Sequence, residues 1–222
     1  MNIELSIKDL GDAVKRGERV LLMVRHAQRP HIDPEDPTFG EALPITDAGK
    51  ETAHAFGKAL KEELPQGTAV QFMSSPLHRT RLTAAAIADA MDLSAAWNYE
   101  TIPTDGLIGN GSPYYADAHA VWQLFRGGDF YPLSFKYCSG GALPGFRGLE
   151  EATNMLEDFV LSRFTADVGV FTSHDLFIAA FLSGKGVFAG WTVENWVGFL
   201  DSAAIIISPG GSRRYALVRA PR

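Results

Sequence analysis

Three short stretches of the chain gather arginine, histidine and acid just beyond apolar runs. "RHAQRP", residues 25–30, follows "VLLMV"; "SSPLHRTRLTA", residues 74–84, follows "AVQFM"; and "TSHD", residues 172–175, ends the run "DVGVFTSHD". Arg25, Arg29 and Arg79 offer planar guanidinium forks suited to two-point contact with phosphate oxygens. His26 and His174 change charge near neutral pH, and Asp175 adds a carboxyl beside the second of them. That set fits a phosphate dianion better than any neutral ligand.

These residues meet only if the fold collects positions about fifty and a hundred apart. The pattern of elements predicts that it does. "VLLMV", residues 20–24, is a continuous β-rich apolar run of the kind found in a strand covered on both faces. "TDAGKETAHAFGKALKEEL", residues 46–64, reads as a helix capped by Thr46 and stopped by Pro65. "AVQFMSS" reads as a strand, and a helix is expected from about Pro76, where proline suits the first turn and the helix end presents positive charge to an anion. A helix at "LEEATNMLEDFVLSRF", a strand at "DVGVFTS" and a helix at "DLFIAAFLSG" follow. The chain ends in strands joined at "PGGS", and it begins with a short helix whose Ile7, Leu10 and Val14 follow a Ser6 cap. Alternation of this sort predicts an α/β fold: a three-layer α/β/α sandwich with a mostly parallel central sheet and a small cap-like insertion. In such sheets ligands bind beyond the carboxyl ends of the strands, where all three stretches fall.

Two segments stand outside the alternation. Residues 27–45 carry Pro30, Pro34, Pro37 and Pro44 and read as an exposed loop. Residues 105–150 are rich in aromatics and interrupted by glycines, with only "ADAHAVWQLF" helical in pattern. They read as a lid or substrate-specificity insertion in a single domain spanning 1–222, a small satellite core being the alternative.

The totals exclude several classes. At 222 residues the chain can bury one sizeable core. A net charge of −6 argues against a broad nucleic-acid or anionic-membrane surface, so any anion must be held locally. Cys138 is the one cysteine and rules out an intramolecular disulfide. No apolar run approaches the roughly 18 residues of a membrane span, and the N-terminal stretch lacks the basic-then-apolar order of a secretory signal, so the protein is read as cytoplasmic. The expected partner is a small phosphorylated substrate, and oligomeric state leaves no mark in the sequence.

On the three motifs the sequence resembles the histidine phosphatase superfamily, which includes phosphoglycerate mutases, acid phosphatases and phytases. "RHAQRP" is similar to its Arg-His-Gly signature and to the Arg-His-Gly-x-Arg-x-Pro form of its acid phosphatase branch, with Ala27 in place of glycine and Pro30 directly after Arg29. "SSPLHRTRLTA" matches the element Ser-x-Leu-x-Arg-x-x-x-Thr-Ala at every defined position, and "TSHD" is similar to the distal histidine motif. The resemblance implies that His26 attacks phosphorus and carries a transient phosphoryl group. It also implies that Arg25, Arg79, Arg29 and His174 stabilise the phosphoryl oxygens, with no metal or cofactor required.

The leaving alcohol needs a proton. Asp175 is favoured, as in the acid phosphatase branch; Asp105, where the mutase branch places its acid, is the alternative and otherwise a pocket residue. Whichever acts is expected to have a raised pKa. Three other readings stay open: a mutase-like phosphotransferase, a catalytically silent phosphate-binding or regulatory module, and a metal-dependent phosphohydrolase using His26, His31, Asp33, His174 and Asp175. The last is disfavoured because the neighbouring arginines repel a divalent cation.

Overall fold

The computed structural model describes residues 3–33, 36, 38, 40–109 and 111–221. Its strands are β1 (Glu4–Leu5), β2 (Arg19–Arg25), β3 (Val70–Ser74), β4 (Val168–Ser173), β5 (Ser202–Ile207) and β6 (Arg213–Val218). Its helices are α1 (Ile7–Lys15), α2 (Asp47–Glu63), α3 (His78–Ala90), α4 (Ala118–Gly127), α5 (Phe130–Cys138), α6 (Leu149–Arg163) and α7 (Asp175–Gly184). One six-stranded sheet runs in the order β1-β6-β5-β2-β4-β3. The pairs β1/β6, β2/β4 and β3/β4 are parallel, and β2/β5 and β5/β6 antiparallel. The expected α/β sandwich with a mostly parallel sheet is the observed fold.

Burial on both faces of β2 explains its unbroken apolar run. Val20, Leu22 and Val24 enter one core with Leu10 of α1, Phe56 and Leu60 of α2 and Ile87 of α3. Leu21 and Met23, pointing the other way, enter a second core with Leu156 and Val160 of α6 and Phe177 and Phe181 of α7. A period of two thus divides one strand between two layers, and a slip of one residue would exchange them.

Caps fall where expected at both early helices: Ser6 accepts from the Asp9 N–H, and Thr46 from the Gly49 N–H. Gly49 has a second role. A Cβ there would come within 2.3 Å of the Gln28 carbonyl oxygen, so glycine lets α2 dock on the backbone just past "RHA".

Three expectations need correction. Helix α3 begins at His78 with Leu77 as N-cap, leaving Pro76 ahead of the helix rather than in its first turn. The Ser75 N–H bonds the Thr172 carbonyl at 3.0 Å, which keeps the chain extended past the end of β3. Residues 105–150 hold a second helix, α5, which buries Ser134, Tyr137 and Cys138 along one face against the second core. The two-residue strand β1 was not foreseen; it is set by its pairing to distant β6. Within the proline-rich loop 27–45, Pro34, Glu35, Pro37 and Phe39 lie outside the described residues.

Candidate active site

Register brings the first and third motifs together. Strands β2 and β4 are parallel neighbours with Arg25 opposite Ser173, and the His26 N–H extends the ladder to the Ser173 carbonyl at 3.0 Å. Hence His26 and His174 leave adjacent strands at the same level, and their rings meet edge-on with centroids 5.5 Å apart. Strand β3, on the far side of β4, delivers Ser75 and then α3 with Arg79. Arg25, His26, Arg29, Arg79, His174 and Asp175 all line one cleft of about 550 Å³.

His26 is 3% exposed, and its Nδ1 lies 2.8 Å from the Ala27 carbonyl oxygen. A carbonyl only accepts, so Nδ1 carries the proton and the lone pair is on Nε2. Burial, with the positive charge of Arg79, Arg25 and Arg29, holds the imidazole well below its usual pKa and therefore neutral. Burial and the same cationic surroundings lower His174 too, although Asp175 opposes them. His174 Nε2 lies 3.0 Å from Ser75 Oγ, which in turn lies 2.8 Å from Thr80 Oγ1, so two buried hydroxyls brace the second histidine.

The three guanidiniums crowd one another. Arg79 is 6% exposed, donates to the Gly40 carbonyl at 2.8 Å, and is pushed down to about 10 by burial and by Arg29 and Arg25. Arg29 donates to the Pro30 carbonyl and is also lowered by burial. The Nε–H groups of Arg25, Arg29 and Arg79 are each buried and find no hydrogen-bond partner among the described residues. Concentrated positive charge with orphaned donors is what an anion would relieve.

Asp175 is the neutralising carboxylate. Its Oδ2 lies 3.1 Å from Arg25 Nη2 and accepts from Trp196 Nε1 at 3.2 Å, while Oδ1 accepts from the Leu176 N–H at 2.9 Å. Burial pushes its pKa up, but Arg25, the two N–H donors and His174 outweigh burial and hold it below the usual carboxylate range. This corrects the expectation of a raised pKa for the acid: the partner that aims Asp175 into the cleft also keeps it ionised. Asp105 is absent from the cleft lining; its Oδ1 caps the short 3-10 turn Gly106–Ile108 by accepting from the Leu107 N–H at 2.9 Å.

The glycine-to-alanine departure at residue 27 is accommodated. The Ala27 methyl is fully buried in the core between the sheet and α2–α3, and the Ala27 N–H donates to Thr83 Oγ1 at 2.9 Å. Thr83 Oγ1 donates in turn to the Arg79 carbonyl at 2.7 Å, tying the turn after His26 to the helix that carries Arg79. Behind Arg25, buried Leu200 adopts a φ of 64° and donates its N–H to the Arg25 carbonyl at 3.1 Å. Left-handed backbone at a bulky residue is uncommon and is held here by the structure around the site.

His31 and Asp33 also border the cleft, at its loop side. Among the described residues no group of three His, Cys, Asp or Glu side chains is arranged to hold a metal ion. Cys138 lies elsewhere, its thiol pushed up to about 12 by burial despite a bond with Ser183. Among the described residues no helix is long and apolar enough to cross a membrane. Sequence reasoning missed Trp196, which reaches Asp175 from a loop with no motif of its own, and Thr80, whose hydroxyl joins Ser75 of the second motif in bracing His174.

Residues 21–101 match the family model of the histidine phosphatase superfamily (branch 1). Solved structures with the same fold include a protein described as mycobacterial hydrolase 1 (17% identity, TM-score 0.54, covering 90% of this chain and 96% of that one). A mycobacterial glucosyl-3-phosphoglycerate phosphatase is 18% identical with TM-score 0.52, covering 90% and 97%. A phosphoserine phosphatase mutant from Entamoeba histolytica, solved with phosphoserine, is 16% identical with TM-score 0.51, covering 89% and 94%. No curated protein matches the chain significantly in sequence. Residues 21–101 thus match the superfamily's family model, and about nine-tenths of the chain shares the fold of these solved structures.

Proposed function

We propose that the protein is a phosphomonoester hydrolase that works through a phosphohistidine on His26, without a metal. The observation that carries this reading is the convergence of a buried, neutral His26 with Nε2 unprotonated and three arginines whose Nε–H groups find no partner among the described residues. Nε2 attacks phosphorus, a P–N bond forms, the ester P–O bond breaks, and its electron pair leaves on the alcohol oxygen. Arg25, Arg29 and Arg79 stabilise charge on the phosphoryl oxygens, with His174 as a further donor.

Asp175 supplies the proton to the leaving oxygen and takes one back from the water that later cleaves the P–N bond. A bound phosphate competes for Arg25 and adds negative charge beside Asp175; both effects raise its pKa, so the proton enters with the substrate. Residues 105–150 supply Tyr115, Trp122, Phe125, Phe130 and Tyr131 to the cleft lining and act as the specificity segment. The phosphatase names of two proteins sharing the fold support hydrolysis over mutase chemistry.

The test is turnover of p-nitrophenyl phosphate in excess chelator, with acid quench. Wild type should hydrolyse the ester and carry acid-labile, base-stable phosphate; His26→Ala should retain its fold and do neither. Appreciable turnover by His26→Ala refutes the covalent mechanism. Absence of any turnover with intact phosphate binding favours the silent binding module.

A further inference from the structure

The cleft lining combines two kinds of surface. Among the described residues it holds three arginines, Arg25, Arg29 and Arg79, and no lysine. An aromatic wall is built from Tyr115, Trp122, Phe125, Phe130 and Tyr131 of the 105–150 segment, with Phe177 of α7. These rings brace one another in a continuous chain. His174 meets Phe177 edge-on at 5.9 Å, Phe177 meets Tyr115 at 5.5 Å, Tyr115 meets Phe146 at 5.2 Å, and Phe146 leads through Phe125 to Phe130. Phe130 and Tyr131 are each more than a third exposed, so the wall runs from beside the histidines out to solvent.

A leaving group held there gains by burying apolar surface and by ring contacts in offset or edge-on geometry. Among the described residues the lining offers a leaving-group carboxylate no lysine and no arginine beyond the three that would hold the phosphate, and Asp33 lies beside His31 in it. We infer that the preferred substrates are phosphomonoesters whose alcohol part is uncharged, apolar and carries an aromatic ring, an inference that rests on the phosphatase reading and names its substrate class.

The test compares alkyl esters of similar leaving-group chemistry: 2-phenylethyl phosphate, propyl phosphate and O-phosphoserine. The wild-type kcat/KM should favour 2-phenylethyl over propyl phosphate by about 20-fold or more, the gain expected from burying most of a phenyl ring. O-phosphoserine should rank below both. In Trp122→Ala and Phe130→Ala, checked for folding by thermal melting, the phenylethyl-to-propyl ratio should fall several-fold. A wild-type ratio near one, or preference for O-phosphoserine, overturns the inference while leaving hydrolysis intact. Dissociation constants of the non-hydrolysable 2-phenylethyl- and propylphosphonates read the same preference without turnover. If no ester is cleaved but the aromatic phosphonate binds more tightly, the substrate class stands as a ligand class and the hydrolase reading falls; equal phosphonate affinities refute the inference.

Discussion

Replacing Thr83 with valine tests whether the turn after His26 is fixed from α3. Thr83 is fully buried, and its hydroxyl is the recorded partner of the Ala27 N–H, at 2.9 Å. Valine fills nearly the same volume, so packing changes little, but it leaves a buried amide N–H unsatisfied. The Arg79 carbonyl loses only its side-chain donor, since it lies within α3. The orphaned amide should cost about 1–3 kcal/mol of stability. For a chain of this size that lowers the melting temperature by about 2–4 °C per kcal/mol.

The effect on turnover should exceed what so small a loss explains. Ala27 also supplies the carbonyl that holds Nδ1 of His26, so freeing its peptide lets the proposed nucleophile drift by a fraction of an ångström. Misplacement on that scale costs roughly 10- to 100-fold in rate. Thermal melting together with steady-state hydrolysis of p-nitrophenyl phosphate measures both quantities. We expect kcat to fall at least 10-fold with a smaller change in KM, and Thr83→Ser, which keeps the hydroxyl, to recover most of it. Wild-type kcat in Thr83→Val, or equal losses in the serine and valine variants, would refute the claim that this hydrogen bond positions His26.

Acid should destabilise the protein through its two buried histidines. Both have folded pKa values well below 6.5, so well above pH 6.5 they are neutral folded and unfolded alike and contribute no pH dependence. Below it the unfolded chain takes up protons that the folded chain refuses, and stability falls by up to about 1.4 kcal/mol per pH unit for each histidine. Urea unfolding in phosphate-free buffer should therefore show a loss of up to about 2 kcal/mol between pH 6.5 and 5.5, reduced in His174→Asn; a flat profile contradicts neutral histidines. Away from the cleft, Glu157 is 4% exposed and is held below its usual pKa by Lys185, Tyr215 and Arg213, against the opposing effect of burial. Glu157→Ala leaves the mostly buried Lys185 ammonium without its carboxylate, and should cost about 3–5 kcal/mol by chemical denaturation; a loss under 1 kcal/mol would show the cluster to be dispensable.

The framework was legible wherever a single physical signal dominated. The two-faced burial of β2 wrote itself as five consecutive apolar residues, and caps at Ser6 and Thr46 marked the helices they begin. The site residues were legible because strand ends collect them: Arg25, His26 and His174 needed only the parallel pairing of β2 with β4. What stayed hidden depends on partners far away in sequence. Strand β1 exists only against β6, and α5, with Gly127 and Gly128 before it and Pro132 inside it, gains its burial from the second core. Trp196 has no local pattern that announces a bond to Asp175.

The acid shows why residue type alone misleads about protonation. From sequence, a carboxyl assigned as general acid is expected to have a raised pKa, because it must hold its proton near neutral pH. The structure sets burial against Arg25 at 3.1 Å and two N–H donors, and the donors win. Without that anion, His26 and His174 would face three guanidiniums without the carboxylate that pairs with Arg25. Asp175 thus has a ground-state task, balancing the arginines, that is incompatible with holding a proton. On the proposed mechanism the incoming phosphate takes over that task and releases Asp175 to be protonated. The charge that prepares the cleft for its substrate then also prevents the acid from being armed before the substrate arrives.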